Sequence, residues 1–573
     1  MTLQEKRDVF QWKYSEQYPP CLATIPPKDQ TATTDIFNGA ALIELFLSIL
    51  PPFLMPDWIR ELAPDALKDK TMQSLVDRNR RLHTEWQTMY FNKNVGDRDD
   101  WYTDAVFGQQ QFTGTNPTTI AVATPDWIKR FQQEAQTQGR ADIVKLIESS
   151  PADSLLIQDY SFFRSLVGAS PTAELTSGDR YACASVTLFH LEPQGKLHPL
   201  AIVPDYKGSM AASVTAFNRR VTSESTIPEA EDWPWRYAKM CAQISDWAYH
   251  EIAVHLVHTH LVEEATIVAA HRTLPDDHIV FKLLEPHWNV TLSLNASART
   301  TLVPDVIVNI VGYTPEQTYA FTKAVYKNFD WTGSYVPNNL KNRGFPVADL
   351  DKPKFHNYGY ARNIIRMWGI LRKFIATVLK ASYVDGDAQV AADRAISDFC
   401  NEMRSKEGAQ LPSFPDVKTL DQLIDMVTMC IHIASPQHTA VNYLQQYYQT
   451  FVPNKPSALQ TPLPQTLEAL QKITETDVMA ALPVNQPLTW LLQAQVPYLL
   501  SFQVAENNTI LQYAAEVGWR YFGNPVIRKA GEQLKADLDE FIGVVLKLSE
   551  ELDDQKTPYL VLDPRVTASS IVI

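Results

Sequence analysis

Seven of the thirteen histidines in this 573-residue chain fall between His250 and His287. Neutral imidazole is the commonest metal-binding side chain, so this concentration points to metal chemistry. Its densest part is DWAYHEIAVHLVHTHLVEEA, residues 246–265, where His250, His255 and His260 are spaced by five. In a regular α-helix, residues five apart point about 140° away from each other and cannot share an ion. A π turn, with i→i+5 hydrogen bonds, brings them nearly onto one face. If His255 and His260 share a metal, their spacing predicts a π-bulge in this helix. The metalloprotease signature HExxH needs i and i+4. HEIAVH has its second histidine one residue too late, which disfavours that class. A second pair, His438 and Asn442 in SPQHTAVNYLQQYY, is spaced i, i+4 and shares a face of an ordinary helix. Two helices that each turn two ligands inward can build a metal site. The chain ends in the apolar SSIVI, and an Ile573 α-carboxylate tucked inside would need a cation to offset its burial.

These groups need a mainly helical body to position them. Helical periodicity marks 71–92 and 124–150, and long helix-forming stretches cover 235–272, 359–382, 388–404, 420–448 and 526–553. Residues 180–204 read as a hairpin, with apolar and β-branched runs on either side of the turn EPQGK. Residues 454–466 are a proline-rich surface loop. Residues 1–35 read as an extended polar arm. The most apolar stretch, IFNGAALIELFLSIL at 36–50, would form a helix of about 22 Å, too short to cross a bilayer core of about 30 Å. It is a candidate for peripheral membrane contact, for a lid over a hydrophobic pocket, or for a core helix. No linker separates independent domains after residue 100. The organisation is therefore an N-terminal extension, 1–60, followed by one catalytic body, 61–573.

Acidic residues outnumber basic ones, 65 to 51, for a net charge of −14 with no basic block. That argues against a nucleic-acid partner and against a purely electrostatic hold on anionic lipid. The five cysteines are widely spaced, with no CxxC. A disulfide framework and a zinc–thiolate site are both disfavoured, and a reducing, cytoplasmic setting is the simplest reading. The first residues lack the apolar core of a signal peptide.

Taken together, the motifs resemble the lipoxygenase family. The resemblance rests on residues 250–288, WYTDAVFGQQQFTGTNPTTI (101–120), KLHPLAIVPD (196–205), WRYAKM (235–240), LNASARTTL (294–302), HTAVN (438–442) and the terminal isoleucine. Their order follows the family's from about residue 90 onward. One departure is Ile279 after His278, where the family usually has proline. The resemblance implies a mainly α fold: a large helical catalytic domain with a small β-sheet subregion and a long central helix carrying a π-bulge. It implies one non-haem iron held by His255, His260, His438, Asn442 and the Ile573 carboxylate. No ligand role is implied for His250, His258, His271, His278 or His287. The four residues between His255 and His260 resemble the iron-type pattern, and manganese variants in fungi resemble a spacing one residue shorter, so manganese is the minor option. The family's amino-terminal β-sandwich is not apparent in the sequence, and the chain resembles a compact bacterial-type member.

The implied reaction is dioxygenation of polyunsaturated fatty acids of the linoleate, linolenate and arachidonate class. An iron(III)-hydroxide abstracts hydrogen from the bis-allylic carbon, and O₂ adds to give a hydroperoxide. The alternative within the same fold is a hydroperoxide isomerase. A non-enzymatic lipid-binding module built on 36–50 fits poorly with an intact ligand set. By resemblance, Glu251 and Gln445 link the metal helices to the substrate pocket by hydrogen bonds. Ala298 stands where the family's alanine goes with S products, its methyl group shielding one end of the pentadienyl radical. Leu302 matches a leucine that clamps the pentadiene, and Lys455 matches a base that pairs with a carboxylate entering head first. Ile307, Ile310, Leu499 and Leu500 are further candidates for the pocket wall.

Overall fold

The computed structural model describes residues 1–30, 61–85, 92–221, 226–520 and 524–573; the apolar stretch 36–50 lies outside the described residues. The architecture is mainly helical and is organised around one rod that runs without a break from Trp233 to Thr273. It begins as an α-helix (Trp233–Ala248), widens into a π-helix (Tyr249–Leu261) and returns to an α-helix (Val262–Thr273). Asp232 caps its start by accepting a hydrogen bond from the Trp235 amide. Pro234 sits in the first turn, where its missing N–H breaks no helical bond. Almost every residue of the rod is buried, polar ones such as Ser245 and Thr259 included. A helix covered on all sides has no solvent face to show, so its sequence carries little amphipathic signal. The π segment is longer than a single bulge, thirteen residues.

Two further helices widen in the same way. One runs Leu420–His432, through a π turn at Ile433–Gln437, into His438–Asn442. The other runs Thr291–Ser297 and then through a π segment, Ala298–Ile307. Here the cause is local. Pro436 and Pro304 lie inside these π segments, where proline offers no N–H and its ring crowds the carbonyl one turn earlier, which opens the helix. The central π segment contains no proline and is held by its packing.

The sheet is a five-stranded antiparallel meander: β1 (Ala121–Val122), β2 (Leu155–Asp159), β3 (Val186–Leu191), β4 (Leu197–Val203) and β5 (Ala216–Phe217), in that spatial order. The expected hairpin is β3–β4. Gly195 takes φ +94° in its turn, which explains the glycine of EPQGK. Other helices fall near their expected places, with the 359–382 stretch forming Gly359–Ser382. The 124–150 stretch breaks into Pro125–Thr137 and Ala141–Ser149, with Gly139 between them at φ +70°.

The first thirty residues are less extended than expected. Leu3–Val9 is a helix, started by a capping box in which Thr2 and Glu5 satisfy each other's amides. This arm is strapped along the last part of the central rod: Lys6 Nζ donates to Leu274 O (2.9 Å) and the Leu22 amide to Glu264 Oε1 (2.9 Å). Among the described residues, no helix is long and apolar enough to cross a membrane.

The rod also buries a carboxyl with no cation beside it. Glu263 is fully covered; Oε1 accepts from Trp288 Nε1 (2.9 Å), and Oε2 has no partner. Burial pushes its pKa from 4.5 up to about 8. The folded state therefore holds this proton more tightly than the unfolded one. Its contribution is fully present below about pH 4.5 and is lost as pH rises through about 8, an effect on the order of 5 kcal/mol. Urea unfolding midpoints should fall between pH 5 and 8. Glu263→Gln, which keeps an acceptor for Trp288 but cannot ionise, should reduce that fall. An unchanged slope in the variant would assign it to other groups.

Candidate metal centre and substrate cavity

The π segment does what the spacing requires. His255 and His260 turn inward together, and His438 meets them from the second helix. His255 Nε2 lies 3.2 Å from His260 Nε2, which lies 3.2 Å from His438 Nε2. All three residues are buried, and their candidate ligand atoms lie within 4.8 Å of one another. The outer nitrogens fix the tautomers. His255 Nδ1 faces Glu251 Oε2 at 3.3 Å and His260 Nδ1 faces Asn295 Oδ1 at 2.9 Å. Asn295 is itself oriented, because its Nδ2 donates to His260 O (2.7 Å) and to Glu264 Oε2 (3.1 Å). Its Oδ1 must therefore accept, so His260 donates from Nδ1. Both Nε2 atoms are left with lone pairs directed at each other.

Burial, reinforced by the neighbouring His255, holds His260 down at about 3. Burial, then the adjacent His260 and His255, holds His438 well below the usual histidine range. The facing lone pairs of His255 and His260 repel at this distance unless a cation lies between them. An ion with metal–nitrogen bonds of about 2.1 Å at right angles would space neighbouring nitrogens about 3 Å apart. The residues present fit a metal ion.

Asn442 follows on the His438 helix and is wholly buried. Its Oδ1 accepts from Gln445 Nε2 (2.6 Å), while Asn442 Nδ2 and Gln445 Oε1 have no partner. The C-terminal tail is pinned between the His438 helix and the start of the Thr291–Ser297 helix. The Ala568 amide donates to Thr439 Oγ1 (3.1 Å), Ser570 Oγ to Asn289 O (2.8 Å) and Thr291 Oγ1 to Ile571 O (3.1 Å). Ile573 thereby reaches the cavity that His255 and His260 also line. His250, although in the same i+5 series, does something else. Its Nδ1 accepts from Gln449 Nε2 (3.0 Å) and its Nε2 donates to Val441 O (2.6 Å), tying the two rods together. His271 stacks on Phe10, His278 pairs with Asp393, and His287 bonds to Ser569 O.

The cavity beside the three imidazoles is mostly apolar. Leu294, Ala298, Leu302, Val303, Ile307 and Leu500 form its greasy wall, and Glu251, Thr318 and Thr322 supply the polar atoms. Ala298, Leu302 and Ile307 all come from the π segment opened by Pro304. Ile310 and Leu499, expected in the wall, are not part of this lining.

Lys455 requires a correction. It is 3% exposed; Nζ contacts Asp246 Oδ2 and donates to Thr115 Oγ1 (2.9 Å), away from the cavity lining. A buried ammonium already neutralised by Asp246 has no charge to offer a fatty-acid head group. Asn295 is the residue that sequence reasoning missed. It sits in the quoted motif LNASARTTL, but only the fold shows that it faces His260.

With this geometry described, the comparisons identify the class. The lipoxygenase family model matches residues 173–555. A manganese lipoxygenase from Pleurotus sapidus is 52% identical over 583 aligned residues, covering 100% of this chain and 90% of the relative. The human polyunsaturated fatty acid lipoxygenase ALOX15 is 28% identical, covering 83% of this chain and 67% of its own. The crystal structure of a fungal lipoxygenase from Fusarium graminearum superposes with a TM-score of 0.92 at 38% identity, covering 100% of this chain and 98% of that one. The chain belongs to the lipoxygenase family. It is an oxidoreductase, a dioxygenase of polyunsaturated fatty acids.

Two expectations change. The 52%-identical relative and the structure at TM-score 0.92 are both fungal, where the resemblance suggested a bacterial-type member. The expectation of iron is overturned by the 52%-identical relative, a manganese lipoxygenase matched over the whole of this chain. The spacing argument failed for a physical reason. The gap between His255 and His260 sets the angle between two imidazoles, and imidazole, amide and carboxylate donors accept either ion.

The Asn295 contact generates a prediction. Asn295→Leu leaves His260 free to rotate and to change tautomer, and should weaken metal affinity by about 10- to 100-fold. Metal content after dialysis against a graded chelator series reads this directly, with circular dichroism confirming an unchanged helix content. Wild-type retention of metal would show that Asn295 does not orient the ligand.

Proposed function

We propose that this chain is a manganese-dependent lipoxygenase that converts linoleate-class fatty acids to hydroperoxides. In this reading His255, His260, His438, Asn442 and the Ile573 carboxylate hold the ion. The observation that carries it is the convergence of three buried Nε2 atoms, His260 lying 3.2 Å from each of the other two, beside an apolar cavity. Bound there, manganese supplies a one-electron oxidant and a site for the abstracted proton. The rest is positioning by the protein. Glu251 and Asn295 hold the imidazoles in one tautomer. Gln445 holds the Asn442 amide. Leu302 presses on the pentadiene, and the Ala298 methyl covers one end of the delocalised radical, so that O₂ reaches the other.

The cavity also supports one orientation of the chain. The charged groups on its lining are Glu251 and the Ile573 carboxylate, and Lys455 is engaged elsewhere. No Lys or Arg is among the described residues of the lining, so a fatty-acid carboxylate pushed inside would lose its hydration with no cationic side chain to pair with. The acyl chain therefore enters methyl end first, with its head group outside.

Oxygen uptake and chiral chromatography test the reading. Protein loaded with manganese should consume O₂ with linoleate and with its methyl ester and form a conjugated diene, and Ala298→Gly should redistribute the product isomers. No uptake by protein with confirmed manganese would overturn the dioxygenase reading for these lipids. Uptake restored by iron but not by manganese would overturn the metal assignment. Rejection of the methyl ester alone would overturn the orientation.

A further inference from the structure

A second cavity, of about 260 Å³, lies across the rods from the substrate cavity and shares no lining residue with it. The central π segment contributes Tyr249, Val254 and His258, and the second helix contributes Met429, His432 and Gln437. It thus sits against both helices that present the histidine triad, with Gln437 immediately before His438.

Its chemistry is distinctive. Among the described residues, no Asp, Glu, Lys or Arg lines it. His432 is 2% exposed and sits beside the Gln437 side chain; burial holds this imidazole near 3, so it is neutral. Gln437 Oε1 accepts from Tyr360 Oη (2.8 Å). Pro436 cannot donate from its nitrogen, so a carbonyl one turn earlier loses its helical donor. Ser334 and Asn339 add polar atoms at the rim. The remaining wall includes three aromatic rings, Tyr249, Phe329 and Tyr360. The neutral side chains of His432 and Gln437 together offer a hydroxyl group hydrogen-bonding capacity. A charged ligand would lose its hydration and meet no opposite charge. The volume falls just below the range of about 300–1,000 Å³ typical for drug-sized ligands, which limits the occupant to roughly one ring.

We propose that this cavity is a binding site for a small uncharged molecule with a single ring and a hydroxyl group, the ring held among the aromatic side chains and the hydroxyl on His432 and Gln437. Benzyl alcohol is a suitable probe because, unlike a phenol, it does not readily donate electrons to a metal. Benzoate and benzylammonium keep its ring and replace the hydroxyl with either charge.

Calorimetric titration of the metal-loaded full chain should show one saturable site for benzyl alcohol. Benzoate and benzylammonium should bind about tenfold more weakly or worse. Ser334→Phe, which fills the cavity from its rim, should weaken benzyl alcohol binding by about tenfold or more, with metal content and circular dichroism unchanged. Ile364→Phe fills it from the opposite wall and serves if the first variant does not fold. Absence of saturable benzyl alcohol binding would leave the cavity to water and overturn the proposal. Equal binding of the three probes would overturn its selectivity for uncharged ligands. Binding unaffected by filling would place the site elsewhere and overturn it as well.

Discussion

Three buried imidazole nitrogens that converge, His260 Nε2 lying 3.2 Å from each of the other two, are the constraint on which the rest of this structure depends. Left alone, the facing lone pairs of His255 and His260 repel. They persist because Glu251 and Asn295 take the outer protons of His255 and His260, and because the rods that carry them have few ways to move apart. The π segment is part of that constraint, since only a widened helix brings residues five apart onto one side. His250 adds a cross-tie to the second helix, and the C-terminal tail is bonded to both Thr439 and Thr291.

The two proline-opened segments extend the same logic outward. Pro436 lies just before His438, so the widened turn directly precedes that histidine. Pro304 opens the segment that places Ala298, Leu302 and Ile307 on the cavity. Helical irregularity is therefore concentrated where side chains must be aimed, while helices such as Gly359–Ser382 and Pro525–Glu550 are regular. The central rod separates two cavities of different character, one apolar and bordered by carboxylates, the other polar and uncharged.

Much of this was legible in the sequence because it is local. The i+5 spacing required a π turn, His438 and Asn442 share a helix, and EPQGK turned a hairpin around a glycine with positive φ. Ala298 and Leu302 were found through their motif. What escaped notice depended on distant partners. Lys455 reads as a free cation until Asp246, 209 positions earlier, is seen beside it. Asn295 reads as a helix residue until it meets His260, 35 positions away. The amino-terminal helix was missed although its capping box, Thr2 and Glu5, was in plain view. The metal was misread because spacing reports angle, and the donor set tolerates both ions.

The central claim is that the converging nitrogens hold a single manganese ion. Anomalous diffraction from crystals of the purified protein, with data on either side of the manganese edge, tests it most directly. One manganese peak per chain is expected, within bonding distance of His255, His260 and His438 and bordered by Asn442 and the Ile573 carboxylate. A peak bound by other residues, an ion whose edge is not that of manganese, or no ordered ion among the three imidazoles would contradict it.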